Sequence, residues 1–384
     1  MTLALSAALL TGVVTMAESP LERAKKAKAD EYYTQIADIE SEMNAYVAYD
    51  RDVFRGKTVL CPCDDPEDSY FTLFFAQKFS ELGLKKLIST SYAPAAKQDR
   101  YGIPIPKGCK YDPTRGRILV VDHDVNGDGT VDFKDLEWGY LEGDGDFRSD
   151  EVKRLRDEAD VIVTNPPFSM FREYFAWLME ADKKFIYICN KNCVTYKEVF
   201  PHIKDNKVWL GATPQSRDLL FRIPSFTVER FLKDELSKKG SKYKVVDGKI
   251  YGRSPAVWMT NMEHGRRHQP LQLMTMADNI RFSKHKEIRE TGYLKYVNYD
   301  AIDVPFTDAI PCDFTGVMGV PISFLDKYCP EQFEIIGISL ELADMKPIKE
   351  RLGKLNGGPR LYTEEKGNLI RQYERILIRL KKGD

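Results

Sequence analysis

The residues best suited to chemistry lie together at Val161 to Phe168, where the apolar run Val161-Ile162-Val163-Thr164 stops in Asn165-Pro166-Pro167-Phe168. Helical periodicity resumes at once, from Met170 to Glu180. Proline has a fixed φ and no N–H, so two in succession cannot continue a strand inside a sheet. They can freeze a tight loop at a strand's carboxyl end, where open α/β sheets bind ligands. The loop offers the Asn165 amide, the backbone carbonyl of Pro166 and the aromatic face of Phe168. Such a set suits gripping a flat base by an exocyclic amine. The plainer alternative is a strand-exit turn with a core Phe.

An adenine set against this loop shows what the set could do. The amine lone pair is delocalised into the ring and is a poor nucleophile. Acceptors at the Asn165 side-chain oxygen and the Pro166 carbonyl would draw the nitrogen towards tetrahedral geometry. They would also stabilise the positive charge that develops as it attacks, a preorganised electrostatic effect. Phe168 would stack on a base flipped out of the duplex. No strong base is needed, because the alkylated ammonium loses its proton readily.

The surrounding pattern supplies elements to hold such a loop. Leu21 to Ala48 has helical periodicity after Ser19-Pro20, with Pro20 suited to a first helical position. Lys57 to Cys63, Lys86 to Ser91, Arg117 to Val121, Lys184 to Cys189 and Lys207 to Leu210 read as strands. Tyr70 to Leu82 and Asp150 to Ala159 read as helices. Strand and helix alternate from about residue 55 to 215, which argues a parallel, doubly wound sheet. Beyond that the pattern is less regular. Lys233 to Lys249 reads as a lysine-rich loop or hairpin, Val257 to Met262 and Ile335 to Leu340 as strands, and Tyr373 to Lys381 as an edge strand.

With 384 residues, 43% hydrophobic and 30% charged, the chain can bury a full core and is not of disordered composition. Seven cysteines without a CxxC pair signal neither a disulfide framework nor zinc, and fit a reducing cytoplasm. Cys61 and Cys63 would share one face of a strand. Met1 to Thr15 is apolar but lacks a basic start and is too short to span a bilayer, so residues 1–20 are expected to be a misassigned start or a disordered tail. No membrane partner is expected. The net charge of −1 hides a split: Met1 to Asn165 holds 21 Lys and Arg against 30 Asp and Glu, the remainder 36 against 28. A basic second half suggests a polyanionic partner, although solvated surface faces explain charge alone equally well.

Further motifs precede the proline loop in order. Asp30-Glu31-Tyr32-Tyr33-Thr34 resembles the amino-terminal motif of adenine methyltransferases that contacts S-adenosylmethionine (SAM). Asp64-Asp65-Pro66 stands where the first motif of such enzymes stands, with carboxylates able to face the sulfonium or amino group, although no Gly lies between Lys57 and Glu81. Gly145-Asp146-Phe147 resembles the element whose Asp accepts from the cofactor adenine while the Phe packs on its ring. Over nearly all of Leu21 to Leu380 the chain closely resembles the EcoRI-type adenine-specific DNA methyltransferases. The resemblance extends through Asn190 to Pro201, Asn298 to Val304, Gly316 to Tyr328 and Pro330 to Gly337. It implies a Rossmann-like SAM-dependent methyltransferase sheet over residues 21–270, with an acidic insertion at 122–142, and a target-recognition region over 271–384. It implies methyl transfer from SAM to the N6 amine of adenine in double-stranded DNA, with Asn165, Pro166, Pro167 and Phe168 as catalytic loop. Tyr33, Thr34, Asp64, Asp65, Pro66, Asp146 and Phe147 would hold SAM. A monomer is expected; the sequence leaves open whether it partners a restriction endonuclease acting on the same site without direct contact, stands alone, or belongs to a phage.

Other readings stand beside these. Asp124, Asn126, Asp128, Thr130, Asp132 and Asp135 have EF-hand spacing, but Asp replaces the usual bidentate Glu at position twelve and a strand precedes the loop. They are either a calcium loop stiffening an insertion or an acidic surface turn. Lys238, Lys239, Lys242, Lys244, Arg266, Arg267, His268, Lys284 and Lys286 are candidate phosphate contacts. His264 and His268, four apart, lack further ligands for a metal, and Gly316 to Gly319 suggests a tight turn. The same chemistry on RNA adenine or a glutamine amide is the nearer alternative function. A non-enzymatic calcium-stabilised binding module is the remoter one.

Overall fold

The computed structural model describes residues 33–67, 69–101, 112–123, 131, 136–215, 219–222, 243–246, 249–355 and 357–381. Residues 1–20 and the loop Asp124 to Asp135, apart from Val131, lie outside them. Eight strands make the main sheet: β2 (Thr58–Cys61), β3 (Lys86–Thr90), β4 (Arg117–Val121), β5 (Trp138–Tyr140), β6 (Val161–Thr164), β7 (Lys184–Asn190), β8 (Trp209–Leu210) and β12 (Ala256–Thr260). Their order is β5-β4-β3-β2-β6-β7-β12-β8. The four central strands β3, β2, β6 and β7 are parallel. The expected parallel sheet is corrected at both margins, where β4 and β12 pair antiparallel with the central strands and β5 and β8 pair antiparallel with β4 and β12 in turn. The periodicity of a strand does not reveal its direction, so this could not be read from spacing.

Central strands with apolar residues on both faces demand cover on both. Val59, Leu87, Val161, Val163, Ile186 and Ile188 face one core, with α1 (Ile36–Tyr49) and α2 (Tyr70–Gln77) packed over them. Leu60, Ile88, Ile162, Tyr187 and Cys189 face the other, under α4 (Phe171–Ala181). α3 (Asp150–Glu158) leads into β6, capped by the Ser149 hydroxyl, which accepts from the Val152 N–H.

Several boundaries move. Of the expected Leu21–Ala48 helix, residues 21–32 lie outside the described residues, Tyr33–Thr34 is a short strand, β1, and a helix runs over Ile36–Tyr49. β1 pairs with β9 (Leu219–Arg222) in a sheet completed by β10 (Tyr243–Val246) and β11 (Lys249–Ser254). Those last two strands make the Lys233–Lys249 segment a hairpin where it is described. The Tyr70–Leu82 helix breaks at Lys78. Cys63 lies past the end of β2 and so shares no strand face with Cys61.

The carboxyl-terminal sheet joins β13 (Ile302–Asp303), β14 (Met318–Pro321), β15 (Phe333–Ile338) and β18 (Arg375–Leu380), with β16 (Tyr362–Glu365) and β17 (Asn368–Arg371) as a separate hairpin. β18, expected at an edge, lies between β14 and β15. Arg375, Ile376, Leu377 and Ile378 are all buried, so its outward positions carry no edge signature. Gly319 is not in a turn. It lies in β14, where an added Cβ would stand 2.2 Å from the Tyr296 hydroxyl. Ile302, Met318, Val320 and Ile378 belong to the same core as Ile162 and Tyr174, so this sheet packs into the main sheet's second layer.

Candidate active site

Because β2 and β6 are adjacent and parallel, the loops leaving them emerge side by side. Asp64 joins the two. Its carboxylate accepts from the Ser69 hydroxyl at 2.8 Å, from the Thr164 hydroxyl at 2.7 Å and from the Asn165 backbone N–H. Its own N–H donates to the Thr90 carbonyl at 3.0 Å, and its carbonyl accepts from the Ser89 hydroxyl, which adds the end of β3. Burial pushes the Asp64 carboxyl up to about 7, against the lowering effect of the Thr164 and Ser69 hydrogen bonds.

Neither carboxylate of the Asp64-Asp65 pair is therefore turned to open space as the sequence suggested. Asp64 points into the protein, and Asp65 pairs with the guanidinium of Arg117, which also reaches Glu67 at 3.0 Å. Pro66, between Asp65 and Glu67 in sequence, is buried.

The Gly143–Phe147 loop closes on the end of β3. Asp144 accepts the Ala93 N–H at 2.7 Å and Gly143 accepts the Gly116 N–H at 2.9 Å. Gly145 has φ +79°, and a Cβ there would lie 2.2 Å from the Ser91 carbonyl oxygen. Only glycine suits both conditions. Gly145→Ala should cost about 1–3 kcal/mol of stability through backbone strain, measurable by thermal denaturation. Both Asp146 oxygens are held by Arg148, at 3.0 and 2.8 Å, and the same guanidinium reaches Glu173 on α4 at 2.7 Å. Phe147 is 5% exposed, edge-on to Tyr174 at 5.2 Å and Trp177 at 5.8 Å. It packs in the core beneath α4 rather than presenting a face to a ligand, a correction that follows from the aromatic cluster around it.

Asn165 and Phe168 are half-buried at the β6 exit, Pro166 is buried, and Pro167 precedes a 3₁₀ turn, Phe168–Met170. Phe221 on β9 meets the Phe168 ring edge-on at 6.5 Å and stands in register with Thr34. The Thr34 hydroxyl is buried and has no hydrogen-bond partner among the described residues. The amino-terminal motif thus reaches the proline loop through one aromatic residue. Tyr33 pairs with Arg222 through its backbone. Phe168 also lines a cavity of about 250 Å³, together with Arg172, Asn190, Cys193 and Tyr196.

The basic candidates divide. Arg267 is 4% exposed, stacks on Trp209 with its guanidinium 3.6 Å from the ring centroid, and pairs with Glu263. Arg266 donates to the Ala212 carbonyl and to Asp326. His268 lies between Glu263 and Glu331. All three tie segments together, so Arg266 and Arg267 leave the set of free phosphate contacts. Lys238, Lys239 and Lys242 lie outside the described residues, as does the Lys244 side chain. The calcium candidates Asp124, Asn126, Asp128, Thr130, Asp132 and Asp135 lie outside them too, and no cluster of metal-ligating side chains occurs among the described residues. No helix among them is long and apolar enough to cross a membrane.

Sequence reasoning missed Ser69, Arg117, Arg148, Thr164 and Phe221. Thr164 was open to inference, as the hydroxyl residue immediately before the loop. Arg117 and Phe221 gave no local signal, because their partners lie 52 residues away for Asp65 and across a strand pairing for Thr34.

The family model of the adenine-specific methyltransferase EcoRI matches residues 20–381. The type II methyltransferase M.EcoRI of Escherichia coli is 40% identical over 82% of this chain and 88% of its own length. The type II methyltransferase M.MpnI of Mycoplasma pneumoniae is 33% identical over 82% and 84%, and M.MgeORF184P of Mycoplasma genitalium is 32% identical over 93% and 97%. No solved structure matches the chain. The chain belongs to the EcoRI family of adenine-specific DNA methyltransferases.

Proposed function

We propose that the chain transfers a methyl group from SAM to the N6 amine of an adenine flipped out of double-stranded DNA, with Asn165 to Phe168 as the catalytic loop. The observation that carries this reading is the Asp64 tie. One buried carboxylate fixes the Asn165 backbone to the loop after β2, and the backbone of the same residue bonds to the end of β3, where this class of sheet holds its ligand.

The residues fit a SAM site. The buried Thr34 hydroxyl lacks a protein partner among the described residues, and the Gly143–Phe147 loop is pinned against the β3 exit with Asp146 oriented by Arg148. Thr34, Asp146 and the Asp64-Asp65-Pro66 loop would hold the cofactor, which supplies an electrophilic methyl carbon. Asp64 would act through position, holding Asn165, rather than by facing the cofactor. The Asn165 side-chain oxygen and the Pro166 carbonyl accept the two amine hydrogens. Phe168, held edge-on by Phe221, offers its face to the base, and the adjoining cavity gives the extruded nucleotide room. After transfer the ammonium proton passes to water.

Tritiated SAM offered with duplex DNA, RNA and protein tests the substrate class. Label confined to RNA or protein would reject the reading. Single-molecule sequencing of DNA from cells expressing the chain reads out base and site together. Action beside an endonuclease that shares the site, and as a monomer, belongs to the same proposal. Calcium at Asp124 to Asp135 rests on ligand spacing alone. If it binds, millimolar calcium raises the Tm and chelation reverses the rise; an unchanged Tm removes calcium from the account.

A further inference from the structure

The cavity that Phe168 lines is also walled by Asn190, the last residue of β7. Its place follows from the sheet. β6 and β7 are parallel neighbours with Thr164 opposite Tyr187, so both strands leave the sheet at the same end. Asn165 to Phe168 follow Thr164, and half-buried Asn190 stands three residues past Tyr187. β12 holds the Asn190 backbone from the other side, with Ala256 in register. The next N–H, of Lys191, donates to the Pro255 carbonyl at 2.7 Å.

Asn190 has one kind of group to offer. Its Oδ1 accepts the Asn192 N–H at 2.9 Å, which caps the 3₁₀ turn Lys191–Thr195. A carboxamide whose oxygen is engaged turns its N–H donors elsewhere, and those on Nδ2 have no partner among the described residues. The other polar groups of the wall differ. The Arg172 guanidinium pairs with Glu198 at 3.3 Å, Glu173 accepts from Arg148, and the Cys193 sulfur lies 3.1 Å from that of Cys189. The Ser169 and Tyr196 hydroxyls can donate or accept. Asn190 is thus an uncharged donor whose sense is fixed by its own turn. A base held by its amine asks for such a group. In adenine the ring nitrogen beside the amine is N1, which carries a lone pair and no hydrogen. Guanine and hypoxanthine carry a hydrogen on N1, and two facing donors would leave both unpaired.

We infer that the Asn190 Nδ2 donates to N1 of the extruded adenine, which makes Asn190 a specificity-determining residue for the reaction. The inference rests on the proposed action on adenine and adds a second point at which the base is read. Asn165 and Pro166 hold an amine, and Asn190 identifies the acceptor beside it on the Watson–Crick edge.

The test measures methyl transfer by the full chain to duplex DNA carrying its methylation site, with adenine, 1-deazaadenine or 7-deazaadenine at the target position. On adenine, Asn190→Ala should lower kcat/KM roughly tenfold, the scale of one neutral hydrogen bond. Asn190→Asp should fall at least as far, because it keeps the acceptor for the Asn192 N–H and loses the donor. Wild-type turnover in Asn190→Asp would leave Asn190 only its cap and overturn the contact. 1-Deazaadenine keeps the amine and has C–H in place of N1. It should cost the wild type roughly tenfold more than it costs Asn190→Ala, since the change in amine reactivity is common to both and cancels. 7-Deazaadenine should cost the two by the same factor. Equal factors with 1-deazaadenine, or a difference that appears with 7-deazaadenine instead, would overturn the assignment to N1. Where thermal denaturation shows Asn190→Ala unfolded, Asn190→Asp carries the same comparison. Wild-type transfer to the adenine duplex reads the functional proposal by itself. Its absence rejects that proposal and the contact with it, whereas transfer with equal factors rejects the contact only.

Discussion

Asn165→Ala should lower the rate of methyl transfer by roughly 10²–10³-fold, the effect of removing one preorganised polar group from a charge-developing centre. SAM binding and Tm should stay close to wild type. The backbone explains why the substitution isolates chemistry from architecture. Asp64 holds the Asn165 N–H, and the neighbouring Thr164 hydroxyl, whatever side chain stands at 165. The half-buried position at the β6 exit also leaves no large hole on truncation. Asn165→Asp keeps an acceptor oxygen and should retain more activity than Asn165→Ala. Single-turnover rates with labelled SAM, beside calorimetric titration of SAM, separate the two effects. Near-normal turnover in the alanine variant would sink the catalytic assignment.

Asp64→Ala acts on the frame instead. It strands the buried Ser69 and Thr164 hydroxyls and the Asn165 N–H together. Stability should fall by about 3 kcal/mol, as several buried polar groups lose their partner. Turnover should fall on the order of 10²-fold through a displaced Asn165. The ionisation of Asp64 adds a pH signature with a definite sign. Its carboxyl is raised from the ordinary 3.8 to about 7 by burial, so the folded protein holds this proton more tightly than the unfolded chain does. The resulting stability is fully present below about pH 4 and is lost as pH rises towards 7. Asp64→Asn should flatten that slope, shown by denaturant unfolding at several pH values between 4 and 8. A wild-type slope retained in the asparagine variant would place the titration elsewhere.

Much of the site was legible because it is local. The strand, two prolines and following helix around Asn165 announce a loop at a strand's carboxyl end within Val161 to Glu180. The Asp64 turn is equally compact, following β2 directly. What could not be read depends on distant partners. Tyr33–Thr34 follows a helical pattern and becomes a strand only because Arg222 and Phe221 pair with it. Phe147, expected against a ligand ring, is claimed by Tyr174 and Trp177 from α4. Arg266 and Arg267 carry the charges of a phosphate contact, yet Asp326, Glu263 and Trp209 engage them first. In each case the residue type was informative about capacity, and tertiary neighbours decided its use.

The order of strands in the carboxyl-terminal sheet has a consequence for synthesis. β18 is made after both of its neighbours, β14 and β15, and it stands between them. Until Arg375–Leu380 has left the ribosome those two strands have no bridge, and the Ile302, Met318 and Val320 portion of the shared core stays incomplete. A nascent chain can therefore possess every residue of the proline loop while lacking the packing that supports it. Ribosome-bound fragments ending before Arg375 should be protease-sensitive, because β14 and β15 meet only through β18.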